Sequence, residues 1–108
     1  MIEVANKKTH RGEGIYIGRP SPLGNPFTHR PGTLAEVVVG SRDEAVDRYR
    51  DWLRKQWQAG GPARAELLRL ARIYKDTGQL TLVCWCHPER CHGDVLAEVI
   101  PLVAEKLP

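Results

Sequence analysis

The chain has 108 residues, 42% hydrophobic and 27% charged, with a formal net charge of +3 at neutral pH. These globular proportions exclude a disordered or fibrous chain, and the length admits one domain with a modest core. The longest apolar run, residues 80–86, is far too short to cross a bilayer, and the small positive excess only biases the surface toward anionic partners.

Ile2 and Val4 alternate with polar neighbours and predict a first strand. Residues 7–14 form a polar, glycine-bearing connection, and Ile15-Tyr16-Ile17 predicts a second strand. Three prolines and two glycines between Gly18 and Phe27 exclude helix and most ladder pairing, so an ordered loop anchored by Leu23 and Phe27 is expected. Within residues 18–40 only 34–39 carry the pattern of a regular element, either a short helix or an edge strand. Ser41 followed by Glu44 reads as a capping box, opening a helix with Ala45, Val46, Tyr49, Trp52, Leu53 and Trp57 on one face. Gly60-Gly61 stops it, Pro62 starts the next helix, and Gly78 closes that one.

Residues 80–86 are almost continuously apolar, the pattern of a strand covered on both faces. His87-Pro88-Glu89-Arg90 is read as a surface turn. Cys91-His92-Gly93-Asp94 then opens a last helix, which Pro101 is expected to kink or restart. The expected architecture is a single α/β domain over residues 1–108. It would be a two- or three-layer sandwich with an at least partly parallel sheet and the Rossmann-like order β-β-α-α-β-α. Residues 1–6 lack the basic-then-apolar order of a secretion signal, so a cytoplasmic chain with no membrane partner is expected.

All three cysteines fall within one short stretch, which suits a site better than a disulfide framework. Cys84 and Cys86 share a strand face near its carboxyl end, where ligands collect in open α/β sheets. Cys91 stands at a helix start, where free amides favour a thiolate or a bound anion, and Gly93 would let a ligand approach the backbone. Asp94 is placed to orient His92 or to cap the first turn. Two functional readings stay open. One is metal-free chemistry or anion binding, with Cys91, His92 and Asp94 as the reacting set. The other is zinc held by Cys84, Cys86, Cys91 and His92, whose ligand types fit better than the single residue between the first two cysteines. The plainest alternative is that the cysteines pack the core and His92 caps a helix. In the proline-rich loop, Arg19 offers a fork for phosphate or carboxylate, Ser21 and Asn25 offer hydrogen bonds, and Gly24 permits close approach.

The two stretches Tyr16-Ile17-Gly18-Arg19-Pro20-Ser21-Pro22-Leu23-Gly24-Asn25-Pro26-Phe27 and Cys84-Trp85-Cys86-His87-Pro88-Glu89-Arg90-Cys91-His92-Gly93-Asp94-Val95-Leu96 together resemble a small domain of unknown function found in bacteria and their phages. The resemblance picks out Arg19, Gly24, Asn25, Pro26, Cys84, Cys86, Pro88, Cys91, His92 and Asp94, and leaves out His87. It implies that loop and cysteine motif belong together as two walls of one pocket, and it supplies no activity.

The leading expectation is a site for a small anionic ligand of nucleotide type, whether bound or turned over. Arg19 and the helix-opening amides would hold the anion, and Cys91 and His92 would stand nearest any chemistry. The rival is a zinc-stabilised adaptor for nucleic acid or protein, with Lys7, Lys8, Arg11 and Arg30 as a basic edge and with Tyr16, Trp52 and Trp57 read as core. A third reading, an inhibitor of a host protein, leaves no mark in the residues. Neither ligand identity nor oligomeric state follows from the residues.

Overall fold

The structure, a computed structural model, describes residues 1–28, 37–86 and 89–108. The elements run β1 (Ile2–Asn6), β2 (Ile15–Tyr16), β3 (Phe27–Thr28), β4 (Val37–Val38), α1 (Arg42–Ala59), α2 (Pro62–Thr77), β5 (Leu80–Cys84) and α3 (His92–Glu105). The α/β class expected from sequence is therefore the observed one, with a short parallel pair, β3 and β4, added to the expected order. The predicted element at residues 34–39 is present as β4, while residues 34–36, Arg30 and the His87-Pro88 part of the predicted turn lie outside the described residues.

The main sheet is parallel throughout, with β5 between β1 and β2. Parallel neighbours need a connection from the top of one strand to the bottom of the next, usually a helix. Here residues 7–14 suffice, because Ile15 pairs with Leu82, halfway along β5. The chain has only part of a strand to descend. Gly14 makes the close approach at its end: a Cβ there would stand 2.6 Å from a methyl carbon of Val83. This connection lies against the face of β5 that carries Thr81 and Val83. The opposite face, with Leu80, Leu82 and Cys84, joins Leu53, Leu67, Leu70, Leu96 and Ile100 in one core. Helices thus cover one face and a loop the other, which makes two layers.

The helix boundaries follow the local chemistry read from the sequence. Ser41 accepts a hydrogen bond from the Glu44 amide at 3.1 Å, and Gly60 and Gly78 end α1 and α2 in the left-handed region at φ 71° and 75°. Two expectations are corrected. The last strand stops at Cys84, so Trp85 and Cys86 belong to the bend that follows it. And α3 is not restarted at Pro101 but runs from His92 to Glu105 as one helix with the proline inside it.

Residues 18–26 are ordered by α1. Tyr49, fully buried, donates its hydroxyl to the Leu23 carbonyl at 2.7 Å, and Asn25 donates its amide to the Ala45 carbonyl at 3.1 Å. Tyr49→Phe strands the Leu23 carbonyl in a dry environment while leaving the ring packing intact. A loss of about 1–3 kcal/mol of unfolding free energy in urea denaturation is expected.

Candidate functional site

The carboxyl ends of β2 and β5 and the start of α3 meet at one corner of the molecule. The β2 ladder continues to Ile17, whose amide donates to the Val83 carbonyl at 3.0 Å, and the chain then turns through Gly18 to Arg19. Gly18 lies under the Tyr16 ring, where a Cβ would come within 2.4 Å of the phenolic oxygen. That hydroxyl donates to the Arg19 carbonyl at 2.8 Å and accepts from the Trp85 indole N–H at 3.1 Å. Arg19, Tyr16 and Trp85 are held in one chain of bonds.

At the other side, the amide of Gly24 donates to the Ser21 carbonyl at 2.9 Å, and a Cβ on Gly24 would stand 3.0 Å from the backbone of Arg19. The glycine allows close packing within the loop. Gly93 is alike: its missing side chain makes room for Val4, Ile17 and the Cys91 sulfur, all within 3.3 Å of where a Cβ would be.

Cys84 and Cys91 are both buried, with sulfurs 3.3 Å apart and no disulfide. Cys91 caps α3, its sulfur accepting from the Asp94 amide, while Asp94 Oδ2 accepts from the Cys91 amide at 3.2 Å. Hydrogen bonding with Cys84, followed by burial, pushes the Cys91 thiol well above its ordinary value, overriding the pull of the helix amides. Cys91 is therefore a neutral thiol, contrary to the thiolate expected at a helix start. The Tyr49 hydroxyl is likewise pushed up, first by its burial and then by its neighbour Cys91.

His92 is buried, with its ring edge-to-face on Tyr49 at 5.0 Å between centroids. Its Nε2 stands 2.7 Å from the Ile17 carbonyl. A carbonyl only accepts, so Nε2 carries the proton. Burial, the foremost cause, lowers the His92 pKa; the Arg19 charge lowers it too, against the Ile17 bond and Asp94, which raise it. The ring is thus oriented by Ile17, while Asp94 takes the capping role of the two that the sequence allowed.

A cavity of about 390 Å³ opens at this corner. Of the residues singled out in the sequence, Arg19, Asn25, Cys84, Cys86, Cys91 and His92 line it, so loop and cysteine motif do form two of its walls. Ser21, Gly24, Gly93 and Asp94 are not on its lining. Sequence reasoning missed Thr28, Arg42, Trp85 and Arg90, and read Tyr16 as core; all five line the cavity. Nothing local in the sequence marked Trp85. Arg42 pairs with Glu89 at 3.0 Å, and Arg90 bridges Asp43 and Asp47 at 3.0 and 2.9 Å, so those cations are neutralised by exposed partners. Arg19 differs. Its Nη1 is shut off from solvent without a hydrogen-bond partner among the described residues, as is the Ser21 hydroxyl.

Among the described residues no three of His, Cys, Asp and Glu are placed to hold an ion, and the His92 Nε2 is committed to Ile17. Nor is any described helix long and apolar enough to cross a membrane.

The depressed His92 pKa has a signed consequence. The unfolded chain takes up the proton at the ordinary value of 6.5, whereas the folded chain takes it up only lower down. The stabilisation is complete above 6.5 and is lost as pH falls through 6.5 toward the folded value. Melting temperature should drop more steeply between about pH 7.5 and 5 in the wild type than in His92→Gln, whose amide still donates to Ile17 but does not titrate. Parallel curves would contradict this.

The family described as Domain of unknown function (DUF4326) matches residues 2–101, and the chain belongs to it. No curated protein and no solved structure matches the chain.

Proposed function

Starting from membership in a family that carries no assigned activity, we propose that the cavity at the β2–β5–α3 corner binds a small phosphate-bearing ligand of nucleotide type. The observation that carries this is Arg19 on the cavity lining, with its Nη1 left without a hydrogen-bond partner among the described residues. A guanidinium nitrogen in that state costs free energy unless an anion completes it, and the planar fork suits phosphate or carboxylate. Its surroundings support the reading. It lies at the carboxyl ends of parallel strands, with Asn25, Thr28 and the opening residues of α3 on the same lining. Fixed dipoles and a charge are presented together, and the cavity is large enough for a small molecule.

The reading is of binding first. Cys91 is a neutral, buried thiol, which does not favour it as a nucleophile, and His92 has Nε2 spent on Ile17. Cys86, half-buried on the lining, is the most accessible of the three sulfurs.

A thermal-shift panel of nucleoside mono-, di- and triphosphates with inorganic phosphate tests the proposal. At least one phosphate-bearing compound should raise the melting temperature of the wild type. Arg19→Ala should weaken that compound by about 10- to 100-fold, the worth of one hydrogen bond to a charged group, with little change in the apo melting temperature. Uniform silence across the panel, or an unfolded Arg19→Ala, would count against the reading.

A further inference from the structure

Resting on the phosphate reading of the cavity, we infer that its rim is a stacking subsite for a nucleobase, so that the ligand is a nucleoside monophosphate. The carrier is Trp85. It is 51% exposed, among the few large apolar side chains left open, and it stands on the lining of the cavity. An exposed indole is ordinarily mobile; this one is fixed. Its N–H donates to the Tyr16 hydroxyl at 3.1 Å, and its backbone carbonyl accepts from the Asn6 amide group at 3.1 Å.

The same hydroxyl bonds the carbonyl of Arg19. The aromatic rim and the backbone from which the Arg19 side chain springs are therefore tied together by two consecutive hydrogen bonds through Tyr16. A ligand with a planar ring at one end and a phosphate at the other suits such a pair, and its cost of ordering falls on no protein side chain. Lys7 adds a cation above these rings, 5.0 Å from the Tyr16 centroid and 5.9 Å from that of Trp85. It covers one face of each ring at most, and half of the indole surface remains for a base.

Size narrows the class. About 390 Å³ lies at the lower end of small-molecule cavities, which run from roughly 300 to 1,000 Å³. That size suits one base, one sugar and one phosphate. Among the described residues, Arg42 and Arg90 on the same lining are already paired to carboxylates, which favours a small ligand over a strand of nucleic acid.

The test compares AMP, GMP, CMP and UMP with ribose 5-phosphate by calorimetric titration of the full chain, in wild type, Trp85→Ala, Trp85→Phe and Arg19→Ala. At least one monophosphate should bind the wild type about fivefold or more tighter than ribose 5-phosphate, the lower end of what one stacked base contributes. Trp85→Ala should erase that preference and leave ribose 5-phosphate unchanged, Trp85→Phe should retain most of it, and Arg19→Ala should weaken both ligand types. Equal affinities in the wild type, or a preference that survives Trp85→Ala, would overturn the stacking subsite while the phosphate site stands. Absence of binding by every probe would overturn the phosphate site and the subsite together. A single-stranded oligonucleotide binding more tightly than any monophosphate would overturn the assignment of ligand class.

Discussion

The corner that forms the cavity depends on one hydrogen bond, from Nε2 of His92 to the Ile17 carbonyl. It joins the end of an edge strand to the first residue of a helix far away in sequence, and does so in the dry interior where such a bond is hard to replace. Gly93 allows it, since the helix start can settle against Val4 and Ile17 only where no side chain intervenes. With that contact made, Cys91 is left as the cap of α3, the Asp94 carboxylate turns to the Cys91 amide, and Arg19 comes to the same corner as His92. The histidine thus holds the end of β2 against the start of α3.

A second constraint holds the opposite wall. A loop with three prolines has few amides to satisfy and few ways to move, but it must still be tied to the body of the domain. The buried Tyr49 hydroxyl and the Asn25 amide do this from within, bonding Leu23 and Ala45. On the outside, ion pairs from Arg42 and Arg90 link the bend after β5 to the first turns of α1. These pairs are exposed and contribute little energy each, so the loop depends on the buried bonds. Both walls converge on α1, a helix that makes no direct contribution to the parallel sheet.

The electrostatic character of the corner follows from burial more than from formal charge. The Cys91 thiol is neutral, the imidazole is neutral, and the neighbouring cations Arg42 and Arg90 are matched by carboxylates. One guanidinium nitrogen is left with its valence for a hydrogen bond unfilled. A net charge of +3 spread over the chain says nothing of this; the imbalance is local.

Residue order alone determined the helices α1 and α2 and their ends: Ser41, Gly60, Pro62 and Gly78 act on backbone within a turn of themselves, and amphipathic spacing acts within one helix. The α/β class and the place of the cysteine motif after the last strand were legible for the same reason. So was the membership of Arg19, Asn25, Cys86, Cys91 and His92 in one corner, because ligand-type residues were crowded at strand ends. What only the tertiary structure decided were quantities that depend on neighbours distant in sequence. Whether Gly24 and Gly93 face a ligand or a neighbouring chain segment, whether Asp94 meets His92 or an amide, and whether a thiol ionises are settled by what packs opposite. Trp85 is the clearest instance: in the chain it is the middle of an apolar run, and only the end of β5 one residue earlier, with Tyr16 and Asn6 from two other segments, turns it outward and holds it at the rim.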